Sequence, residues 1–211
     1  MSKNLSSLAG RAFFKLRGWN FAPLPPFWQD KQVIIGFPHT TVLDTVMAFA
    51  GFSIVKKKGH VLVKSEAFRW PFAALLNKLG AIPVDRNAKA GLVAQMVEEF
   101  QKRDEFHLSL VPEGTRHGVS KLKTGFWHIA KAAKVPIVCW YLDNENKRTV
   151  WAGQVWPSES LDEDLKKIKQ LYAQVGYHIQ GIAERNGESH QGEAVAVTDE
   201  ADQKNMAKQN F

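Results

Sequence analysis

Four short apolar runs, residues 32–36, 60–64, 106–111 and 136–142, recur along this chain with a helical stretch between each and the next. Runs this short, bounded by Gly, Pro or charge, have the length of buried strands rather than buried helices. Strands that alternate with helices run parallel, because the intervening helix has to carry the chain back to the starting edge of the sheet. The expected fold is a single α/β domain with a mostly parallel central sheet flanked by helices. In such sheets, sites form outside the carboxyl ends of the strands. Those ends therefore show where chemistry-bearing residues have meaning.

The first run ends as Gln32-Val33-Ile34-Ile35-Gly36-Phe37-Pro38 and continues as His39-Thr40-Thr41-Val42-Leu43-Asp44. On one continuous helix His39 and Asp44 would lie about 140° apart, so His39 is expected before the helix. With Thr41 as N-cap, Asp44 takes the third helical position, where its carboxylate favours the positive helix end and turns back towards the loop. An aspartate that accepts from one imidazole nitrogen leaves the other free to take a proton from a hydroxyl. The same residues also read as a capping box with Asp in place of Glu, and both readings stand at this point. The third run repeats the layout: Phe106-His107-Leu108-Ser109-Leu110-Val111 passes straight into Pro112-Glu113-Gly114-Thr115-Arg116.

His39 and Asp44 in H-x4-D spacing, with Glu113-Gly114-Thr115-Arg116 as an E-G-T-R run, resemble the paired motifs of the glycerolipid acyltransferases. Between them Lys64 with Glu66, then Pro71 and Gly80 to Arg86, resembles the intermediate block of that family, and Val135-Pro136-Ile137 resembles its V-P-I block. The resemblance implies acyl transfer from a thioester to an alcohol, with His39 as general base and Asp44 as its orienting partner. It implies acceptor binding by Glu113, Gly114, Thr115 and Arg116, with Lys64 and Arg86 as further phosphate contacts. A guanidinium suits bidentate phosphate recognition, Gly114 allows close backbone approach, and Thr115 offers a hydroxyl. The co-substrate would be acyl-CoA or an acyl-carrier protein, with no other cofactor. The expected acceptor is a lysophospholipid, 1-acyl-sn-glycerol-3-phosphate first, with glycerol-3-phosphate or a lyso-aminolipid as alternatives.

A different class of function also fits the charge: a non-catalytic basic module that binds anionic membranes or nucleic acid. Net charge is +7, and residues 1–134 hold 20 Lys and Arg against 9 Asp and Glu, whereas residues 135–211 hold 8 against 12. A basic half suits an anionic membrane surface or phosphate-bearing substrates as well as nucleic acid. The complete motif pairs argue against a binding-only module, and the basic residues are not interleaved with aromatics in an RNA-binding pattern, so no nucleic acid is expected. No metal-ligand spacing stands out among the seven histidines, and no metal is expected. Cys139, the single cysteine, lies in an apolar run and reads as a buried strand residue rather than a nucleophile.

No run of about 18 apolar residues is present, nor the apolar core of a secretory signal, so a peripheral protein on the cytoplasmic face of the membrane is expected. Residues 1–25 are expected to form an amphipathic helix and linker, 26–184 the acyltransferase domain, and 185–211 a disordered tail. Residues 5–19 combine leucines at helical spacing with Arg11, Lys15 and Arg17, which fits either a lipid-interface helix or a helix closing the core. The aromatic stretch Phe68 to Leu76 fits an acyl-chain tunnel or core packing. Further helices are expected over 41–52, 89–101, 126–133 and 162–183, and a strand over 149–155.

Overall fold

A computed structural model of the chain describes residues 3–38, 42–69, 72–84, 91–112 and 122–179. Helix α1 (Lys3–Leu16) leads through a proline-rich segment into strand β1 (Lys31–Phe37), and helix α2 (Val42–Ile54) follows. Strand β2 (Gly59–Lys64), a 3-10 turn at Ser65–Ala67, helix α3 (Phe72–Lys78), strand β3 (Ala81–Val84) and helix α4 (Gly91–Lys102) come next. The chain then runs through β4 (Phe106–Leu110), α5 (Gly125–Ala133), β5 (Ile137–Asp143), β6 (Arg148–Val155) and α6 (Leu161–Gln174). The strands form one sheet in the order β3-β2-β4-β1-β5-β6. All neighbours are parallel except the final β5-β6 hairpin. The α/β fold with a mostly parallel sheet is thus as expected, and β1 and β4 lie side by side at its centre.

The two faces of the sheet are packed by different helices. On one, Val33, Ile35, Phe37, Phe106 and Leu108 meet Met96 and Phe100 of α4, Ile129 and Ala130 of α5, and Ile168 and Tyr172 of α6. On the other, Ile34, Val138, Trp140 and Leu142 meet Phe14 of α1 and Met47 and Ile54 of α2. Alternation along β1 and β5 sends neighbouring residues to opposite faces, and both faces are apolar because both are covered. Fully burying side chains of this size stabilises by about 1.5–3 kcal/mol each before entropy is counted.

Two polar anchors tie α6 down. The buried Tyr172 hydroxyl donates towards the Ile35 carbonyl at 2.9 Å and lies 3.1 Å from that of Trp140, bridging β1 and β5. At the other end Asp164, fully buried, accepts from Trp127 Nε1, the Ser158 amide and Lys167. Burial pushes this carboxyl up, but those donors outweigh it and hold it below the usual aspartate range. The expectation of a helix over 162–183 is corrected: α6 ends at Gln174. Gly176 adopts a left-handed φ of +87°, and the Tyr177 amide turns back onto the Tyr172 carbonyl, closing the last turn.

Helix α1 has two faces. Gly10 lies so close to α2 that a Cβ there would stand 2.7 Å from the Ala50 carbonyl oxygen. Ser7 donates to the Ile54 carbonyl, and Phe14 is buried. Leu5, Leu8 and Leu16 point outwards, 50, 64 and 87% exposed. The helix therefore closes the core with one face and presents leucines with the other.

Candidate active site

Because β1, β2, β3 and β4 are parallel, their carboxyl ends, Phe37, Lys64, Val84 and Leu110, share one edge of the sheet. In the register of β1 and β4, Ile35 stands opposite Leu110, so the segments after Pro38 and after Pro112 leave the sheet from neighbouring positions. His39 and Thr41, Arg86, and Glu113, Gly114, Thr115 and Arg116 lie outside the described residues. What the structure brings together is the strand ends that precede them. The segment between Pro112 and Lys123 is pinned at its base, where the Lys123 amide donates to the Pro112 carbonyl at 2.9 Å. Thr124 follows and precedes α5 without capping it through its side chain, so it caps less than its position suggests.

Asp44 sits in the first turn of α2, as its spacing implies, and is only 8% exposed. A carboxylate near the positive end of a helix is electrostatically favoured there. Lys64 is the last residue of β2, paired with Val84 of β3, which puts its backbone on the same sheet edge.

Asp44, Pro38 and Val111 are among the residues that line a cleft beneath α2 along the sheet. Its walls are Ile34 and Gly36 of β1, Val61 of β2, Ser109 and Leu110 of β4, Trp140 and Leu142 of β5, and Ala48, Gly51, Phe52 and Val55 of α2. Phe21, Trp28 and Trp151 complete it. The cleft has a cavity volume of about 90 Å³. Gly36 and Gly51 make room for its walls, since a Cβ at Gly36 would stand 3.3 Å from the Trp140 ring and one at Gly51 would stand 2.6 Å from that of Phe21.

The aromatic stretch at 68–76 is therefore not what lines the described cleft; residues from Phe21 to Trp151 do so, and only the tertiary fold assembles them. Cys139 is buried on the opposite face, and burial pushes its thiol up to about 12, which leaves no thiolate for nucleophilic attack. Among the described residues no group of three or more His, Cys, Asp or Glu side chains is arranged to hold a metal ion. Nor, among them, is any helix long and apolar enough to cross a membrane.

Two histidines that the sequence does not mark as site candidates lie at the opposite, amino end of the sheet. His107 of β4 is fully buried against Trp28 and Phe52, its Nε2 3.0 Å from Glu105. Burial holds it below the ordinary histidine value despite that carboxylate. His60 of β2 packs against Phe106 on the other face, and burial, with the charges of Arg103 and Lys58, pulls it down to about 4. Both are core histidines, distant from the carboxyl edge.

A protein-family model described as Acyltransferase matches residues 20–143 of the chain. Over 108 residues the chain is 38% identical to a 1-acyl-sn-glycerol-3-phosphate acyltransferase of Escherichia coli K12, a match spanning 47% of this chain and 42% of the length of that relative. The crystal structure of the 1-acyl-sn-glycerophosphate acyltransferase PlsC from Thermotoga maritima superposes with a TM-score of 0.55 at 15% identity, over 84% of this chain and 81% of that one. At that identity the likeness concerns the fold.

Proposed function

Because the chain belongs to the acyltransferase family, we propose that it moves a fatty acyl group from a thioester to the free hydroxyl of a lysophospholipid. Acyl-CoA or an acyl-carrier protein is the donor, and 1-acyl-sn-glycerol-3-phosphate is the first acceptor to test. The observation that carries this reading is the pairing of two features: the ends of β1 and β4, which precede the H-x4-D and E-G-T-R segments, lie side by side, and Asp44 is among the residues that line an apolar cleft beneath α2. An ester-forming site needs that combination, a proton acceptor beside a place for a fatty chain.

In the proposed mechanism His39 takes the acceptor's hydroxyl proton while Asp44 fixes the imidazole tautomer. The oxygen attacks the thioester carbonyl, the tetrahedral oxyanion collapses, the C–S bond breaks, and the thiolate leaves with a proton returned by His39. No acyl-enzyme is required, since the thioester is already activated. Arg116, with Glu113, Gly114 and Thr115, holds the acceptor, and Lys64 and Arg86 add charge for its phosphate. The exposed Leu5, Leu8 and Leu16 of α1, flanked by Arg11, Lys15 and Arg17, support docking on an anionic membrane surface, where the lysophospholipid acceptor resides. We assign that surface to the cytoplasmic leaflet.

The test is thiol release from acyl-CoA by the purified chain, with and without lysophosphatidate in detergent, beside His39→Ala. Release that depends on the acceptor and disappears in the variant is expected. Retained turnover in His39→Ala would remove the base assignment. Release with glycerol-3-phosphate or a lyso-aminolipid alone would move the acceptor, and silence with acyl-CoA and acyl-carrier-protein donors alike, across all three acceptor classes, would sink acyl transfer.

A further inference from the structure

A groove beside α1 takes no part in the acyl transfer described above. It has a volume of about 720 Å³, within the range of about 300–1,000 Å³ in which pockets take small ligands. Its floor is apolar: Phe14 of α1 and Ile54 of α2 are buried there, with Trp19, Phe21, Leu24 and Val55 half-buried around them. It opens to solvent along a rim where Arg11, Lys15, Asn20 and Pro23 are exposed. The wall that faces α1 is held in place from behind. After Gly18 turns the chain out of the helix at φ +69°, the Asn20 amide donates to the Lys147 carbonyl at 2.8 Å and the Asn20 carbonyl accepts from the Thr149 amide at 2.9 Å. The Ala22 amide then donates to Thr149 Oγ1 at 2.8 Å, and Phe21 meets Phe14 edge to face at 5.2 Å. The groove is therefore formed by fixed backbone before anything enters it.

Two cations, Arg11 and Lys15, stand on that rim, and among the described residues no acidic side chain lines the groove. They are one helical turn apart on the same side of α1, and Leu8 lies next to both, three residues before Arg11 and seven before Lys15. The cationic rim thus adjoins the outward leucine face of the helix. An apolar floor beneath a cationic rim complements an amphiphilic anion, with hydrocarbon on the floor and a phosphate at the guanidinium and ammonium groups. A free phosphate would engage the rim and leave the apolar floor wet. We propose that the groove binds one anionic phospholipid of the membrane on which α1 docks, its phosphate between Arg11 and Lys15 and one acyl chain over Phe14, Phe21 and Ile54. This rests on the reading of α1, under Proposed function, as the membrane-facing helix. The site is distinct from the cleft beneath α2, with which it shares Phe21 and Val55 as a common wall.

The experiment is a titration followed by the indole N–H resonances of the isotope-labelled chain, because Trp19 lines the groove whereas Trp28, Trp140 and Trp151 line the cleft. Each resonance is assigned by its loss in the corresponding Trp→Phe variant. The probes are dihexanoylphosphatidylglycerol and dihexanoylphosphatidylcholine, both kept below micellar concentration so that no bilayer is present, and glycerol-3-phosphate. We expect the Trp19 resonance to shift saturably with the anionic lipid, which binds about tenfold more tightly than the zwitterionic one, and to stay still with glycerol-3-phosphate. Arg11→Gln with Lys15→Gln should weaken the anionic lipid about tenfold, and Arg11→Lys with Lys15→Arg should restore it. Unmoved Trp28, Trp140 and Trp151 resonances in the lipid-free variants show that the core is folded. A still Trp19, equal affinity for the two lipids, or undiminished binding in the double Gln variant overturns the proposal. Glycerol-3-phosphate binding as tightly as the lipid overturns it in favour of a free-phosphate site, and shifts confined to Trp28, Trp140 and Trp151 overturn it in favour of the cleft. Acyl transfer is reported separately by thiol release, and membrane docking by vesicle sedimentation, so each reading fails on its own assay.

Discussion

Replacing Tyr172 by Phe removes one oxygen atom from the centre of the molecule and nothing else. The side chain is fully buried, its ring packs edge to face on Phe37 at 5.0 Å, and its hydroxyl serves the carbonyls of Ile35 and Trp140. Burial raises this phenol well above its ordinary value, so it stays neutral across the working range and the loss is that of a neutral hydrogen bond. Such a bond contributes about 0.5–1.5 kcal/mol net, and a carbonyl left short of a donor in a dry core adds to that, so a loss of about 2 kcal/mol is expected. For a chain of this size each kcal/mol lowers Tm by about 2–4 °C, giving a fall of about 4–8 °C. Urea unfolding should show a lower midpoint at unchanged m, since the surface exposed on unfolding is the same. The fall should be equal at pH 6 and pH 8. A Tm within about 1 °C of the parent would refute the reasoning, and would mean that these carbonyls are fully satisfied within the sheet.

Acid sensitivity should centre on His60. Its folded value is depressed to about 4 from 6.5, so the unfolded chain binds a proton that the folded chain refuses. Stability is then complete above about 6.5 and is lost as pH falls towards about 4, by an amount on the order of 3 kcal/mol, and His107 adds in the same direction. His60→Phe should flatten urea midpoints measured between those values; a variant as acid-sensitive as the parent would move the cause elsewhere. Gly10→Ala should cost about 1–3 kcal/mol, because its methyl would run into Ser53 Oγ and stand 2.7 Å from the Ala50 carbonyl oxygen, and thermal melts check this. Leu8→Ser with Leu16→Ser should leave Tm unchanged and lower sedimentation with anionic vesicles about tenfold or more, because burying each leucine in the lipid interface contributes about 1–2 kcal/mol. Undiminished vesicle binding would take α1 out of the docking surface.

Local pattern carried a large part of this protein. The four apolar runs became β1, β2, β4 and β5 with ends displaced by at most one residue, and the stretch at 149–155 became β6, extended by one residue at its start. Asp44 occupies the first turn of α2, where a helix start after Thr41 would put it. These outcomes depend on backbone periodicity and on side chains near in sequence, which a sequence displays directly. The V-P-I block and the two motifs likewise pointed to a family that an independent match over residues 20–143 bears out.

Other features depended on which distant segments share a surface. Nothing in the runs themselves says that β4 lies between β2 and β1, although that insertion is what sets Leu110 beside Ile35, at the strand ends that precede the two motif segments. Helix α1 left core and lipid open because its leucines and Phe14 follow one helical repeat; packing of Gly10 on α2 decided which face was covered. The aromatic stretch at 68–76 fits a tunnel or core packing equally by its sequence, whereas the described cleft is built from residues spread between Phe21 and Trp151. Gln32, Ser109 and Gln154 look in the sequence like ordinary polar interruptions of strands. They become unmet buried groups only because α2 and Trp28 close over that face. Periodicity is a property of a few consecutive residues and can be read from them, whereas burial is a property of all the segments that meet at a point, and only the folded chain determines it.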